Sequence, residues 1–214
     1  MTLSKLAAWS PVVTFLSLSP ILFAADFYKM DPEHTSVVFG VAHAGLSYTY
    51  GMFRKSAGQY WLDKTNPANC RFQMVIRADS IDTNNAERDN KLRSDDFFDV
   101  QRFADIRFES TRCELATSPK GDIIYKLAGN LTLHGITLPV NNILLHMLGE
   151  GPGASGKDHR TGFLCYVELK RSNFGMDYLI KENLVGDAVG ITVSFEGALQ
   201  PEPAATPQIP ANRP

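Results

Sequence analysis

Residues 123–147, IIYKLAGNLTLHGITLPVNNILLHM, constrain the fold more than any other stretch of this chain. Ile123, Tyr125, Leu127, Gly129, Leu131 and Leu133 fall on one face of an extended segment, and Asp122, Lys126, Asn130 and Thr132 fall mainly on the other. A period of two is the pattern of a half-buried strand. His134-Gly135 interrupts it, and Ile136, Leu138 and Val140 begin a second run. Glycine at the break supplies the backbone freedom of a tight reversal. The stretch therefore predicts two antiparallel strands joined by a turn, each longer than the usual length of about five or six residues. Each carries a continuous apolar face. Either a second sheet covers that face, or the sheet curls around and covers itself.

The same alternation recurs along the chain. Residues 27–31 and 35–43 read as strands, the second with Val37, Phe39 and Val41 on one face. Residues 50–62 read as the next, with glycines that mark bends in a curving sheet. Cys70, Phe72, Met74 and Ile76 alternate with Arg71, Gln73 and Arg77, and Ile106 and Phe108 stand opposite Arg107 and Glu109 in residues 104–115. Residues 162–170 place Phe163, Cys165, Val167 and Leu169 on one face, and residues 188–199 do so with Val189, Ile191, Val193 and Phe195. One segment breaks the period. Residues 83–94 are polar and charged, and read as a short helix with Thr83 as its N-cap. In Asp95-Asp96-Phe97-Phe98-Asp99, one Phe is expected to turn into the core as a plug while the carboxylates stay in water. Residues 149–157 read as a flexible glycine-rich loop. The total is about eight strands, the number at which a closed barrel just holds one small ligand. Closure also removes the exposed edges of long apolar strands. The pattern favours a barrel over the competing β-sandwich.

Residues 1–25 have the shape of a secretory signal peptide: Lys5, then an apolar core over residues 11–23, then Ala24-Ala25. Cleavage at either alanine leaves Leu22 or Phe23 where a small residue is usual, so an uncleaved anchor is the alternative. Both readings put the domain, residues 26–200, outside the cytoplasm, in the periplasm. The Pro-rich residues 201–214 have little to bury and are expected to be disordered.

The net charge of −2, with basic residues scattered, leaves no electrostatic footprint for nucleic acid. Three cysteines allow at most one intramolecular disulfide, and the sequence does not choose the pair among Cys70, Cys113 and Cys165. The spacings match no zinc motif. None of the five histidines pairs at helical spacing or as His-x-His, and no serine has the nucleophile-elbow context. No catalytic residue, metal site or cofactor is assigned.

Five stretches spanning residues 28–199 resemble the YceI-like family, exported lipocalin-like proteins of which some bind polyisoprenoid or other long-chain lipids. They are Asp31-Pro32-Glu33-His34-Thr35-Ser36 with Phe39, His43 and Gly51-Met52-Phe53; Asp79-Ser80-Ile81-Asp82-Thr83 with Arg88-Asp89; Leu92-Arg93-Ser94 through Asp99 with residues 106–110; residues 131–140; and residues 171–176 with Gly186-Asp187. Lys91 stands where the family often has His, and Ala104 where Pro is common. The resemblance implies an all-β, extended antiparallel eight-stranded barrel with one short helix and an apolar lumen in which a long-chain isoprenoid or fatty acyl lipid lies. Phe39, Val41, Phe53, Phe72, Met74, Ile76, Phe97, Phe98, Ile106, Phe108, Leu127, Leu131, Leu133, Val140, Phe174 and Phe195 are the expected lipid-contacting residues. His34, His43 and Arg88 are candidates for the head group. A homodimer and transient membrane contact are further expectations. The alternatives are an enzyme acting on a lipid head group at the barrel mouth, or a docking partner of a membrane complex.

Overall fold

The phase of the alternation decides where strands run straight and where they bend. In the computed structural model, which describes residues 25–201, the strands are β1 (Asp26–His43), β2 (Ser47–Phe53), β3 (Ser56–Leu62), β4 (Arg71–Arg77) and β5 (Ile81–Asp82), followed by the helix α1 (Ala86–Arg93). Then come β6 (Asp105–Thr117), β7 (Ile123–Leu133), β8 (Ile136–Pro152), β9 (His159–Lys170) and β10 (Val185–Gln200). Apart from Ala25 and Pro201, the expected signal peptide and tail lie outside the described residues.

Antiparallel pairing runs in the order β1-β3-β4-β6-β7-β8-β9-β10, and β10 pairs back onto β1 along most of its length. The ring is a closed barrel of eight staves, not a sandwich. β1 is shared: its first half pairs with β3, from Asp26 to Lys29, and its second half with β2, from Val37 to His43. Two expected strands have merged in β1, and one expected strand has split into β2 and β3. Both changes follow from phase. Tyr28 and Met30 face inward on even numbers and Val37 on an odd one, so the chain bulges between Met30 and Thr35. Phe53 faces inward on an odd number and Tyr60 and Leu62 on even ones, so the strand breaks at Arg54-Lys55. The bulge between Ser110 and Arg112 in β6 likewise carries the inward face from Ile106 to Cys113.

The β7–β8 hairpin forms as its sequence predicts. His134 and Gly135 both take positive φ, 51° and 74°, as a two-residue turn of matching twist requires. Strand β8 continues to Pro152, so the flexible loop shrinks to residues 153–158. Helix α1 begins later than expected. Its N-cap is Asn85, whose side chain accepts a hydrogen bond from the Arg88 backbone N–H at 2.9 Å, while Thr83 lies buried ahead of it.

The two ends of the barrel differ. At the end where β3 meets β4 and β6 meets β7, Tyr28, Tyr60, Phe72, Tyr125, Phe163 and Phe195 form a solid aromatic floor. Tyr60 is wholly buried, stacks on Tyr28 and Phe72 with centroids 5.1 and 5.4 Å away, and meets Phe163 edge-on. Its hydroxyl shares a 2.6 Å hydrogen bond with Thr161 Oγ1, so the buried polar tip is satisfied. All three cysteines are buried free thiols. The opposite end is roofed by the β4–β6 crossover, which carries β5 and α1, and by the β9–β10 connection.

Candidate functional site: an apolar lumen under a two-part lid

Above the floor the inward faces do not meet. They leave a cavity of about 210 Å³, far above the roughly 10–15 Å³ that admits one water. β10 lines it from Val185 to Phe195, eleven residues of strand, which in a tilted barrel wall is roughly 25 Å along the axis. No polar atom presents surface to the cavity. Alternation explains this, because every charge on the staves falls on the outward phase.

The residues brought together here are those the inward phase selects. Phe39, Val41, Phe53, Phe72, Met74, Ile76, Ile106, Phe108, Leu127, Leu131, Leu133, Val140 and Phe195 line the cavity from the strands, and Phe97 and Phe98 from the roof. Phe174 does not. It is buried at 2% exposure in the turn Arg171–Phe174, outside the lining, and its carbonyl accepts a 3.0 Å hydrogen bond from His134 Nδ1. Sequence reasoning missed Val167, Leu169, Val189, Ile191 and Val193, which also line the cavity and whose alternation is as clean as that of the others. Leu92 and Met176 line it as well, from segments with no period to read.

Two segments close the roof. Phe97 and Phe98 come from the crossover, and Phe98 meets Phe53 edge-on at 5.6 Å. Met176 and Tyr178 come from the β9–β10 connection. The segments touch where Phe97 packs edge-on against Tyr178, over which Lys91 also lies, 4.7 Å from the ring centroid. The plug expectation holds for both phenylalanines but fails for one carboxylate: Asp99 is buried at 7% exposure and accepts a 3.1 Å hydrogen bond from Arg102.

Arg171 is the functional residue to which the sequence assigned no role. It is 5% exposed, and its stem lines the cavity. Its guanidinium donates to the carbonyls of Gly186, Met176, Tyr178 and Val185, at 2.8, 2.8, 2.8 and 2.9 Å. Burial pushes the guanidinium down from its ordinary pKa, and the four carbonyl dipoles compensate the buried charge. One side chain thus gathers four points of the β9–β10 connection over the lumen.

The head-group candidates are not brought together. His34 lies within the β1 bulge near the floor, and His43 ends β1 at the lid, nine residues and roughly 25–30 Å away. His34 Nδ1 pairs with Asp31 Oδ2 at 3.0 Å, and Arg160 ties the same oxygen at 2.6 Å to Glu196 at 3.1 Å. The hydrogen bonds from His34 and Arg160 hold the Asp31 carboxyl well below the usual range, and Asp31 raises the His34 imidazole in turn. This network fastens the bulge to β9 and β10 and faces solvent, away from the lumen. Arg88 donates to Thr83 Oγ1 and to the Thr83 carbonyl, both at 2.7 Å, while Asp89 accepts from the Thr83 N–H and hydroxyl at 2.9 and 2.6 Å. The Arg-Asp pair therefore clamps the start of the helix and does not reach the lumen. Among the described residues, no three His, Cys, Asp or Glu side chains are placed to hold a metal ion.

The comparisons agree with this geometry. The model of the YceI-like domain matches residues 28–197. A UPF0312 protein of Pseudomonas aeruginosa is 37% identical over 203 residues, covering 93% of this chain and 98% of that protein. One from Shewanella baltica is 34% identical over 174 residues, covering 80% and 88%. Among solved structures, Burkholderia cenocepacia BcnA aligns with a TM-score of 0.67 at 21% identity, covering 78% of this chain and 98% of that one. A domain from Saccharophagus degradans, described as polyisoprenoid binding and implicated in plant cell wall breakdown, aligns with a TM-score of 0.62 at 15% identity, covering 81% and 98%.

Proposed function

The chain belongs to the YceI-like family, and from that premise we propose that it is a binding protein that holds a long-chain apolar lipid along the axis of its barrel. The cavity carries the reading: it is elongated, and nothing polar faces it. Each methylene moved from water into such a lumen contributes roughly 0.8 kcal/mol, offset in part by the ordering of a flexible tail. With no nitrogen or oxygen surface in the lumen, hydrocarbon is what is recognised there, and any polar end lies at the lid. An isoprenoid chain is the preferred occupant, a fatty acyl chain the second. The description of the Saccharophagus domain as polyisoprenoid binding supports the first. The lumen is also too large for the reading in which it is only a core for docking on a membrane complex.

The same proposal makes the protein a carrier and not an enzyme. His34, His43 and Arg88, the residues that an enzyme working on a head group would use, sit at separate places, and His34 and Arg88 have structural hydrogen bonds of their own. Export to the periplasm, a homodimer and transient contact with a membrane complete the proposal. The apolar signal-like leader supports export, and Leu46, 88% exposed at the lid end, supports membrane contact.

The test is native mass spectrometry of purified protein, with solvent extraction of what it carries. A stoichiometric prenyl or acyl lipid is the expected result. Protein that is empty, and that takes up neither a prenyl alcohol nor a fatty acid in titration, rejects the reading. Fractionation of cells expressing the full chain checks export separately.

A further inference from the structure

The three cysteines stand in two different places. Cys165 is on β9 and lines the lumen, with burial pushing its thiol up to about 11. Cys70 and Cys113 are together at the floor. Cys70 closes the turn Pro67–Asn69 and directly precedes β4, and Cys113 lies on β6, the strand that β4 pairs with. In that register Gln73 stands opposite Glu109, and the Phe72 N–H donates to Ser110 Oγ at 2.9 Å. The bulge between Ser110 and Arg112 advances the count on β6 by one residue, so the register continued beyond Gln73 brings Cys70 toward Cys113. The two thiols lie close enough for each to perturb the other's ionisation, and the Asp63 N–H donates to Cys70 Sγ at 3.2 Å. Directly opposed residues on neighbouring antiparallel strands have Cα atoms about 4.5–5.5 Å apart, inside the span of roughly 4.4–6.8 Å that a disulfide accepts.

We propose that Cys70 and Cys113 form a disulfide that staples β4 to β6 at the floor, and that Cys165 remains a free thiol. The oxidant is an external disulfide such as glutathione disulfide. The thiolate of one cysteine attacks a sulfur of that disulfide, forming a mixed disulfide and releasing one glutathione thiolate. The second cysteine, as thiolate, then attacks the protein sulfur, forms the Cys70–Cys113 bond and releases the second glutathione thiolate. Two electrons pass to the external disulfide, and the two protons lost by the cysteines end on the released thiols. Both cysteines are buried, at 0% and 3% exposure, so the exchange happens on the folding chain before the floor closes. The covalent loop spans residues 70–113 and contains β5, α1 and the first lid segment. Its ends are fixed at the floor, so the staple restrains the unfolded chain without tethering the lid in the folded one.

The test is to refold reduced, denatured protein in a glutathione redox buffer, trap thiols with iodoacetamide and map peptides without reduction. One alkylated thiol per chain, at Cys165, and a linked pair of peptides carrying Cys70 and Cys113 are expected. A melting temperature that falls by several degrees on reduction should accompany them. Cys165→Ser should keep that fall, and Cys70→Ser and Cys113→Ser should each abolish it. Three alkylated thiols, a bond to Cys165, or glutathione retained on Cys70 or Cys113 overturns the proposal. The peptide map of the unmutated chain separates these outcomes even if a variant fails to fold.

Discussion

Phe97 and Tyr178 meet edge-on, ring centroids 5.4 Å apart with planes at 80°, and theirs is the aromatic contact that joins the two halves of the lid. Phe97 faces the lumen while Tyr178 is 36% exposed, so this contact separates bound hydrocarbon from water by a single ring on each side. An aromatic pair of this kind is worth about 0.5–1.5 kcal/mol beyond the area it buries. Tyr178→Ala should therefore raise the release rate of a fluorescent prenyl or acyl probe by roughly 2- to 10-fold, with equilibrium stability little changed. Stopped-flow displacement by unlabelled lipid measures it. An unaltered release rate would move the exit elsewhere on the barrel.

The second lid segment depends on Arg171. Replacing it with Met removes the donors to four carbonyls and keeps the apolar stem that lines the cavity. Each buried carbonyl left without a partner costs about 1–3 kcal/mol where water cannot reach it. Residues 175–186 should then lose amide protection in hydrogen exchange, while the floor strands keep theirs. Arg171→Lys should rescue little, since one ammonium cannot span the positions that a planar guanidinium reaches.

Lumen and wall are separable by a pair of substitutions, one facing inward and one outward. Leu131 faces the cavity from β7, and Tyr166, 62% exposed, faces water from β9. Leu131→Arg places a charge where no polar atom can receive it, and bound lipid should be lost from a barrel that circular dichroism still shows as folded. Tyr166→Arg should keep its lipid. Lipid retained by both would remove the lumen from the binding site.

Acid should loosen the β3–β4 turn. Asp63 accepts from Thr65 Oγ1, from Asn69 Nδ2 and from the N–H groups of Thr65 and Asn66, at 2.7 to 2.9 Å, and these bonds hold its carboxyl down at about 2. A folded-state pKa below the unfolded value of about 3.9 means that its contribution is complete above that pH and is lost as pH falls toward 2. Between pH 4 and pH 2 the melting temperature of Asp63→Asn should fall less steeply than that of the parent. Equal slopes in thermal melts across that window would show that the turn carries no such linkage.

The barrel was legible because long runs of stave keep their phase over the lumen, from Val37 to Val41 or from Leu127 to Leu133. The bulge of β1 and the break between β2 and β3 went unread, because the slips from Met30 to Val37 and from Phe53 to Tyr60 show only when the inward residues of both halves are counted together. The lid went unread as well. Phe97 and Tyr178 lie far apart in sequence, in segments with no period, and the partners of Arg171 are main-chain carbonyls that no side-chain pattern marks. Both His34 and Arg88 looked functional for the same reason in reverse. A residue that fastens a bulge or a helix start is as sharply specified by local geometry as one that touches a ligand.

That ambiguity has a direct test at His34. Its imidazole is raised by Asp31, with which Arg160 also pairs, and the group faces solvent near the floor. A raised folded-state pKa means that its contribution is full below the unfolded value of about 6.5 and is lost as pH rises through the folded value. His34→Gln should therefore remove a small stability advantage at pH 5 and nothing at pH 9, while lipid occupancy by native mass spectrometry stays at the parental level at both. Substitution at Arg88 should likewise leave occupancy unchanged, because its donors serve Thr83. If either substitution instead strips the lipid at every pH while thermal melts remain parental, the head-group role belongs to that residue after all, and the polar end of the ligand must reach the outer surface there.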